Sequence, residues 1–238
     1  DARQALHFKQ TEIVGRKASF MQPEQTYEHC PFGMMLGSDG KPFKTRSGGT
    51  VKLVELLDEA VERARKLLAE RDTGLSADEL SDVARKVGIG AVKYADLSKN
   101  RTTDYVFNWD TMLSFEGNTA PYLLYAYTRI QSLITRSGEP IEILKELVIP
   151  EGESERLLCV EIGKLDDVVD QVSLDGFPHF LCNYLYELAT RFSHFYEHSE
   201  ILNQPKKIKH RRLSIAYDTG VTLKRGLSLL GIDTVTKM

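Results

Sequence analysis

Four stretches in the second half of the chain repeat apolar residues at alternating spacings of three and four. Residues three and four apart lie on the same face of an α-helix, so each stretch predicts a helix with one apolar side. The predicted helices cover residues 119–136, 155–172 and 178–197 and a last stretch that includes Leu213 to Leu230. Because such helices bury their apolar sides against one another, residues 116–238 are predicted to form a compact α-helical bundle.

Local signals support the first and the last of these four helices. Thr119 can cap the first helix with its hydroxyl, and Pro121 in the first turn loses no hydrogen bond there. Gly220 has no side chain, so a neighbouring helix can approach the last helix closely at that point. Both signals agree with a bundle of packed helices.

The first half of the chain is also predicted to be mainly helical. Residues 1–31 predict one or two helices followed by a loop, with Pro23 as a helix breaker. Residues 51–71 place leucine, valine and alanine at helical spacing between charges, which predicts an amphipathic helix. Thr50 stands where it can cap that helix.

A capping box marks the start of the next helix. Ser76 and Glu79 have the spacing of this motif, and the helix that they open is predicted to reach about Val87 and to stop at Gly88. Two further elements are predicted, a helix over residues 91–98 and a short extended segment over residues 104–109. Trp109, the only tryptophan, is expected in the core.

The stretch from Phe32 to Thr50 combines a predicted strand, a turn and a cationic arm. Residues 32–36 are apolar and predict a buried strand, and the Asp-Gly pair at 39–40 predicts a hairpin turn. The return arm, residues 41–46, carries three cations before a glycine-rich hinge, which suits transient binding of a polyphosphate. Taken alone, the loop favours the plainer interpretation of a solvated hairpin tip.

The composition restricts how the chain could bind nucleic acid or a membrane. A net charge of -3 gives no overall attraction to nucleic acid, so any contact with RNA must use local cationic patches. The three cysteines are widely spaced and are expected to be reduced thiols of a cytosolic protein. No apolar run approaches the roughly 18 residues that span a bilayer, and residues 1–10 lack the apolar core of a signal peptide.

A basic run opens the last predicted helix. Six cationic or titratable side chains occupy about two helical turns, and such a cluster is suited to neutralising phosphates. They are Lys206, Lys207, Lys209, His210, Arg211 and Arg212. The alternative is a solvated helix start, although cations at this end oppose the helix dipole.

Aromatic residues and an arginine crowd the first bundle helix. Tyr122, Tyr125 and Arg129 could stack on splayed RNA bases, since single-stranded RNA is commonly bound by aromatic rings and guanidinium planes. Tyr127 belongs to the apolar stripe and is assigned to the core.

No metal site is predicted. His194 and His198 have the i, i+4 spacing of zinc ligands, but the sequence between them differs from the metalloprotease pattern. No cysteine pair completes a site, so a structural metal is rejected.

The motif Gly-x-Asp-Gly-Lys-x-x-Lys-Thr-Arg-x-Gly-Gly at residues 37–49 resembles the degenerate Lys-Met-Ser-Lys-Ser loop of class I arginyl-tRNA synthetases. Four further segments are similar to that family in the same order, namely residues 1–8, 87–94, 118–126 and 226–238. The chain has no His-Ile-Gly-His element. The resemblance therefore implies the C-terminal portion of such an enzyme, divided within its catalytic domain.

This resemblance implies a fold and a division into three parts. Residues 1–50 would be a small α/β remnant of a Rossmann-like catalytic domain, and residues 51–115 a helical connecting region that contacts the tRNA stem. Residues 116–238 would be the α-helical anticodon-binding domain, so the fold is mainly α. The family often has an Asp-Ala-Leu-Arg-like signature near the last helix, where this chain has His-Arg-Arg-Leu at 210–213.

The resemblance also implies roles for individual residues. Lys41 and Lys44 would neutralise the departing pyrophosphate, which makes them the catalytic residues. Three residues would lie near the adenylate or arginine site, namely Asp1, Gln4 and His7. The proposed tRNA contacts are Tyr122, Tyr125, Arg129, Lys206, Lys207, Lys209, Arg211, Arg212 and Met238. From the residues themselves, Gln4 and His7 could equally cap or line a helix.

The intact enzyme would use ATP with Mg²⁺ as substrate and no tightly bound cofactor. Its partners would be arginine and tRNA(Arg), without a membrane, and a cytoplasmic monomer is expected. Because the His-Ile-Gly-His element is absent, this chain alone is expected to be inactive and to act as an RNA-binding module. The alternative is a non-catalytic helical scaffold, in which the basic run serves solubility.

Overall fold

A computed structural model describes residues 1–37, 39–41, 52–71 and 74–238. After a 3-10 turn at Ala2–Gln4, the described elements are α1 (Ala5–Lys17), β1 (Met35–Leu36), α2 (Leu53–Ala69), α3 (Ala77–Leu97), β2 (Tyr105–Val106), α4 (Trp109–Met112), α5 (Ala120–Ser137), α6 (Ile141–Leu144), α7 (Glu153–Ile162), α8 (Leu165–Asp175), α9 (His179–His198) and α10 (Lys206–Leu229). The mainly helical fold expected from the sequence is confirmed.

The second half of the chain is the predicted helical bundle. Helix α10 packs against α5, α7 and α9, and α8 packs against α9. The stripe residues meet at the centre, where Ile130, Leu188, Phe192 and Leu223 are all fully buried. Each such side chain stabilises the fold by about 1.5–3 kcal/mol when it leaves water, so the stripes account for the bundle.

The predicted caps are present at two helix starts. The Ser76 hydroxyl accepts the Glu79 amide at 3.3 Å, and the Glu79 carboxylate accepts the Ser76 amide at 2.8 Å. The Thr119 hydroxyl accepts the Tyr122 amide at 3.2 Å. Helix α2 has Lys52 as its N-cap without a side-chain hydrogen bond, and Thr50 lies outside the described residues.

Helix α3 corrects the prediction of two helices separated at Gly88. It runs without a break through Gly88 and Gly90. At Gly88, a Cβ atom would lie 2.7 Å from the backbone carbonyl carbon of Ala60, so the missing side chain allows α2 and α3 to pack in contact. Glycine here serves helix packing, which outweighs its low helix propensity.

The predicted helix over residues 155–172 is also wrong, because the structure divides it into α7 and α8. The break lies at Gly163 and Lys164. The Tyr184 hydroxyl of α9 lies 3.0 Å from the Glu161 carbonyl and 3.2 Å from the Ile162 carbonyl. A partner from another helix thus satisfies carbonyl groups that a helix end leaves without donors.

The strand that follows Phe32 is shorter and less buried than predicted. Only Met35–Leu36 is a strand, and it pairs in parallel with Tyr105–Val106. Phe32 is 58% exposed, so the expectation of a fully buried strand at 32–36 is wrong. Residues 42–46 of the predicted hairpin's return arm lie outside the described ranges.

The three cysteines are free thiols in different environments. Cys30 is exposed, Cys159 is half-buried and Cys182 is buried. Burial raises the pKa of the Cys159 thiol and raises the pKa of Cys182 to about 12. In the part of the chain that the structure describes, no helix has the length and apolar character needed to cross a membrane.

Candidate nucleic-acid interface

A groove on the bundle surface brings together three of the predicted tRNA-binding residues. Tyr125, Arg129 and Met238 line an open depression of about 310 Å³. Tyr125 and Arg129 are four apart on α5 and therefore share one helix face, and Met238 arrives with the segment after α10. The remaining lining residues are Thr128, Ser132, Leu133, Arg136, Tyr196, Thr236 and Lys237.

Arg129 lies between two aromatic rings in this groove. Its guanidinium carbon lies 5.2 Å from the Tyr125 ring centroid and 4.9 Å from the Tyr196 ring centroid. Both distances are within the range of cation–π attraction. The guanidinium and the two rings thus form a surface on which a planar group could stack. Tyr125 is the most accessible ring of this surface, since 37% of the residue is exposed.

Tyr196 is a groove residue to which the sequence analysis assigned no binding role. Its ring lies 6.0 Å from that of buried Phe192, so one side of the residue packs on the core while another lines the groove. Its position follows from the packing of α9 beside α5. The spacing of apolar residues along α9 does not by itself indicate that Tyr196 lines a groove.

The segment after α10, residues 230–238, is held in place by buried side chains and by a hydrogen bond near its end. Ile232 and Val235 are buried in the core, with 2% and 3% of their surface exposed. The Lys237 ammonium donates to the Gly74 carbonyl at 2.6 Å, in the connection between α2 and α3. These contacts hold Met238 against the groove.

Tyr122 does not line the groove. Its ring centroid lies 5.5 Å from that of Tyr186, and its hydroxyl oxygen lies 3.5 Å from the Thr190 hydroxyl oxygen on α9. The structure therefore separates Tyr122 from Tyr125, although both were predicted as stacking platforms.

A tight turn follows β1 and presents the first of the predicted catalytic lysines. The Gly37 amide donates to the Lys41 carbonyl at 2.7 Å, and the Asp39 carboxylate accepts the Lys41 amide at 3.1 Å. Gly40 has φ +71°, a left-handed conformation that glycine adopts without strain. The Lys41 side chain is exposed, and Lys44 lies outside the described residues.

The parts of the chain on which these features lie match two family models. Residues 1–109 match the model for class I (R) tRNA synthetases, catalytic domain, and residues 123–238 match the DALR anticodon binding domain. The chain belongs to the arginyl-tRNA synthetase family. Lys41 thus lies in the match to the synthetase catalytic domain, and the groove lies in the match to the anticodon-binding domain.

Curated relatives support the same family. The chain is 62% identical to the arginine–tRNA ligase of Alteromonas mediterranea and 57% identical to that of Pasteurella multocida, in each case over its whole length. It covers 42% and 43% of those two synthetases. The chain therefore spans about two fifths of the length of these relatives.

Solved synthetase structures share the fold. The arginyl-tRNA synthetase of Plasmodium falciparum matches 100% of this chain with a TM-score of 0.82 and 28% identity, and the chain covers 40% of it. The arginyl-tRNA synthetase of Thermus thermophilus matches 87% of this chain with a TM-score of 0.75 and 28% identity, and the chain covers 34% of it.

The first turns of the chain hold the residues predicted near the adenylate. The Asp1 carboxylate accepts the Arg3 amide at 2.8 Å and pairs with the Arg3 guanidinium at 2.6 Å. Gln4 and His7 are exposed. Among the described residues, no hydrogen bond or ion pair connects these side chains to Lys41.

The basic run divides into buried and exposed cations. Arg211 is 7% exposed, and both Arg211 and Arg212 donate to Glu155 at 2.9 Å. Lys209 pairs with Glu139 at 2.9 Å. Lys206 and Lys207 are exposed at the start of α10.

Glu155 is the anionic centre of this cluster and is only 1% exposed. Burial opposes its ionisation, but hydrogen bonds from the Glu151 amide, from Arg212 and from Arg211 outweigh that effect and lower the pKa of Glu155 to about 2. The carboxylate is therefore charged at neutral pH, which compensates the two arginines. Sequence reasoning missed this partner, because it lies 56 positions before Arg211.

The two histidines considered as zinc ligands stack on one another. Their ring centroids lie 4.2 Å apart, and His198 Nδ1 lies 2.9 Å from the His194 carbonyl oxygen. Within the described ranges there is no group of three or more histidine, cysteine, aspartate or glutamate side chains that could hold a metal ion.

Proposed function

We propose that the chain provides the tRNA-binding bundle and the pyrophosphate-stabilising turn of an arginine–tRNA ligase. Such an enzyme activates arginine with ATP as arginyl-adenylate and then esterifies the terminal adenosine of tRNA(Arg). Arginine, ATP and tRNA(Arg) are the proposed substrates and partners, and we propose a cytoplasmic monomer without a tightly bound cofactor. Family membership supports the proposal.

We propose the same three functional parts as before, with boundaries at residues 50 and 115. The two family matches leave residues 110–122 between them, and Gly117 in that interval has φ +78°. A turn at this point supports a bundle that begins near residue 116. The boundary at residue 50 lies inside residues 1–109, which match the catalytic-domain model. We place it there to separate the cationic loop from the helices that follow.

One observation carries the proposal, namely the groove in which Arg129 lies between Tyr125 and Tyr196. Arginine codons share a middle G, so their anticodons share a middle C, and one splayed base is a consistent identity signal. Such a base needs a stacking surface and a donor for its edge. Tyr125 and Tyr196 provide rings, Arg129 provides N–H donors, and Met238 provides an apolar wall.

Neighbouring phosphates would bind the exposed part of the basic run. Lys206 and Lys207 are exposed, and no ion pair joins Lys207 to an acidic group within the described part of the chain. By contrast, Arg211, Arg212 and Lys209 already pair with glutamates, so an RNA phosphate would have to compete for them. We therefore assign the salt-dependent contact to Lys206 and Lys207.

For the catalytic role, Lys41 and Lys44 would stabilise charge that grows on the departing pyrophosphate. The exposed Lys41 side chain next to a glycine turn supports this assignment. Mg²⁺ does not fit the described residues of the turn as a bound cofactor. Asp39 is their only carboxylate, and one of its oxygens accepts the Lys41 amide, so we derive no step through the metal.

Binding titrations with two tRNAs test the anticodon assignment. The chain should bind tRNA(Arg) more tightly than a tRNA(Arg) whose middle anticodon base is changed. Tyr125→Ala should remove most of this difference, because base–aromatic stacking contributes about 1–3 kcal/mol. Equal affinity of the unchanged chain for both tRNAs would overturn the assignment.

The phosphate contacts have a separate readout. The double change Lys206→Ala/Lys207→Ala should weaken both tRNAs alike and lower the salt slope by about one unit per lysine. Lys224→Ala, an exposed lysine later on α10, is the matched control and should change neither quantity. If tRNA binding is absent or insensitive to salt, the helical scaffold becomes the better interpretation.

A further inference from the structure

The connection between α3 and β2 contains an arginine that joins two distant parts of the molecule. The Arg101 guanidinium donates from Nη1 to the Pro31 carbonyl at 2.8 Å and from Nε to the Gly176 carbonyl at 2.7 Å. Its guanidinium carbon also lies 4.8 Å from the Phe177 ring centroid. Pro31 precedes β1, whereas Gly176 and Phe177 lie between α8 and α9 of the bundle.

The backbone around Arg101 is fixed by its own turn. The Asn100 side-chain oxygen accepts the Thr102 amide at 3.0 Å and the Thr102 hydroxyl at 2.8 Å. The Asn100 carbonyl accepts the Thr103 amide at 3.0 Å. Because these bonds set the direction in which the side chain leaves the turn, Arg101 is held in place for both of its acceptors.

The same turn holds the segment that leads to the Lys41 turn. The Gly33 amide donates to the Arg101 carbonyl at 2.7 Å, and the Met34 amide donates to the Asp104 carboxylate at 2.6 Å. A Cβ atom on Gly33 would lie 2.3 Å from the Thr103 carbonyl oxygen, so the two backbones are in direct contact. Strand β1 follows at once and ends at the residue before Gly37, where the Lys41 turn begins.

The other acceptor of Arg101 lies in the short connection between α8 and α9 of the bundle. Gly176 ends α8 with φ +65°, and Pro178 precedes the first residue of α9. Helix α9 has 20 residues and therefore extends about 30 Å, with Tyr196 of the groove near its far end. The Arg101 side chain thus connects the near end of α9 to the segment before the Lys41 turn.

We propose that Arg101 is a positioning residue that sets the place of Lys41 relative to the bundle during adenylate formation. The planar guanidinium satisfies two carbonyls from one rigid group, and a lysine ammonium on a flexible stem cannot reproduce that geometry. The proposal rests on the proposed function, because it presumes that Lys41 acts on a phosphate. It adds a residue that touches no substrate and acts through the backbone of residues 31–37.

Hydrogen exchange in the present chain tests the positioning directly. Arg101→Lys should increase the exchange rates of the Gly33 and Met34 amides about tenfold or more, while amides in the α9 core keep their protection. Arg225→Ala is the control, since it removes an exposed arginine that pairs with Asp166 at 3.3 Å and, among the described residues, makes no hydrogen bond or ion pair with residues 31–37. Unchanged exchange at Gly33 and Met34 would overturn the proposal whether or not the chain belongs to a working ligase.

Kinetics in a longer ligase that contains this chain test the consequence. Arg101→Lys should lower kcat of arginine-dependent ATP–pyrophosphate exchange by about 10- to 100-fold, with KM for arginine within about twofold, because misplacement affects the transition state. In a chain that already carries Lys41→Ala, adding Arg101→Lys should lower kcat little further, because both changes act through Lys41. Normal kcat in a variant that shows faster exchange at Gly33 would overturn the coupling to Lys41. Absence of activity in the unsubstituted ligase would instead contradict the proposed function.

Discussion

At the scale of single residues, Glu155 decides how the basic run is used. Two guanidinium groups point at a carboxylate that is almost completely buried, so the run is partly an internal ion cluster. Replacing a buried partner leaves the remaining charge without compensation, which costs about 3–5 kcal/mol. The arginines therefore stabilise the bundle before they can contribute to binding.

Glu155→Gln should lower the free energy of unfolding by about 3 kcal/mol at pH 7, because Arg212 loses its carboxylate partner and Arg211 keeps, among the described carboxylates, only the exposed Glu151, at 2.9 Å. Urea denaturation measures this change. Glu153→Gln, at an exposed position in the same first turn of α7, is the control and should change stability by less than about 1 kcal/mol. Equal stability of the two variants would contradict the assigned role.

The same substitution has a pH signature. The pKa of Glu155 in the folded chain is lowered to about 2 from its usual value of 4.5. The stabilisation that ionised Glu155 provides is therefore complete above pH 4.5 and is lost as the pH falls through the folded-state pKa of about 2. Between about pH 4.5 and pH 2, the unsubstituted chain should lose stability more steeply than Glu155→Gln. Parallel stability curves over this interval would exclude a depressed pKa.

Residue patterns predicted some of the residues that line the groove, which is the candidate site. Tyr125 and Arg129 could be found because they share a face of one helix, and the structure places both in the groove. Tyr196 could not be found, since its place depends on how α9 packs beside α5. Glu155 could not be predicted as the partner of Arg211 and Arg212 either, because these arginines lie 56 and 57 positions further along the chain.

At the scale of elements, α3 shows why a glycine was misinterpreted as a helix end. The sequence contains two glycines within a helical pattern, and propensity alone favours a stop there. In the folded chain Gly88 is where the backbone of α2 touches α3. The local signal was weak, and tertiary packing outweighed it.

Gly88→Ala should destabilise the chain, because its Cβ would meet the Ala60 backbone at 2.7 Å and neither helix can move without losing contacts. We expect a loss of about 2 kcal/mol or more after the gain of nearly 1 kcal/mol in helix propensity.

Gly90→Ala is the matched control for Gly88→Ala, two positions along the same helix. Its Cβ would lie 3.1 Å from a methyl group of Ile232, which can shift. Thermal denaturation should therefore show a clearly lower Tm for Gly88→Ala than for Gly90→Ala. The reverse order would show that α2 and α3 separate readily.

Other elements were predicted closely. The caps at Ser76 and Thr119 and the bundle stripes came from local spacing, which the structure preserves. The break between α7 and α8 could not be predicted, because the Tyr184 hydroxyl that satisfies its carbonyls comes from another helix. Short elements such as α4 and α6 were missed, since four residues carry too little periodicity.

At the scale of the whole molecule, two family matches follow one another along the chain in the order that the resemblance implied. The structure joins them through contacts of α3 with α5 and α9. The Tyr94 hydroxyl on α3 also donates to the Cys182 carbonyl on α9 at 2.8 Å. The bundle and the region before it are thus packed together through α3.

We expect the present chain to perform no arginine-dependent ATP–pyrophosphate exchange, because it contains no His-Ile-Gly-His element and spans about two fifths of its relatives. The assay would use purified chain, with Lys41→Ala/Lys44→Ala as background. Exchange above that background would contradict the expectation.

In a longer ligase, each of the substitutions Lys41→Ala and Lys44→Ala should lower kcat for adenylate formation more than it raises KM for arginine. An effect on KM alone would contradict the phosphate role.

The exposed Cys30 makes the segment before β1 accessible to labelling chemistry. A maleimide dye should modify it first, because Cys182 is buried and the pKa values of Cys159 and Cys182 are raised. Cys30 lies one residue before Pro31, so a fluorophore there would report on the backbone that leads to the Lys41 turn. The sequence therefore already contains an attachment point for following this segment by fluorescence during a tRNA titration.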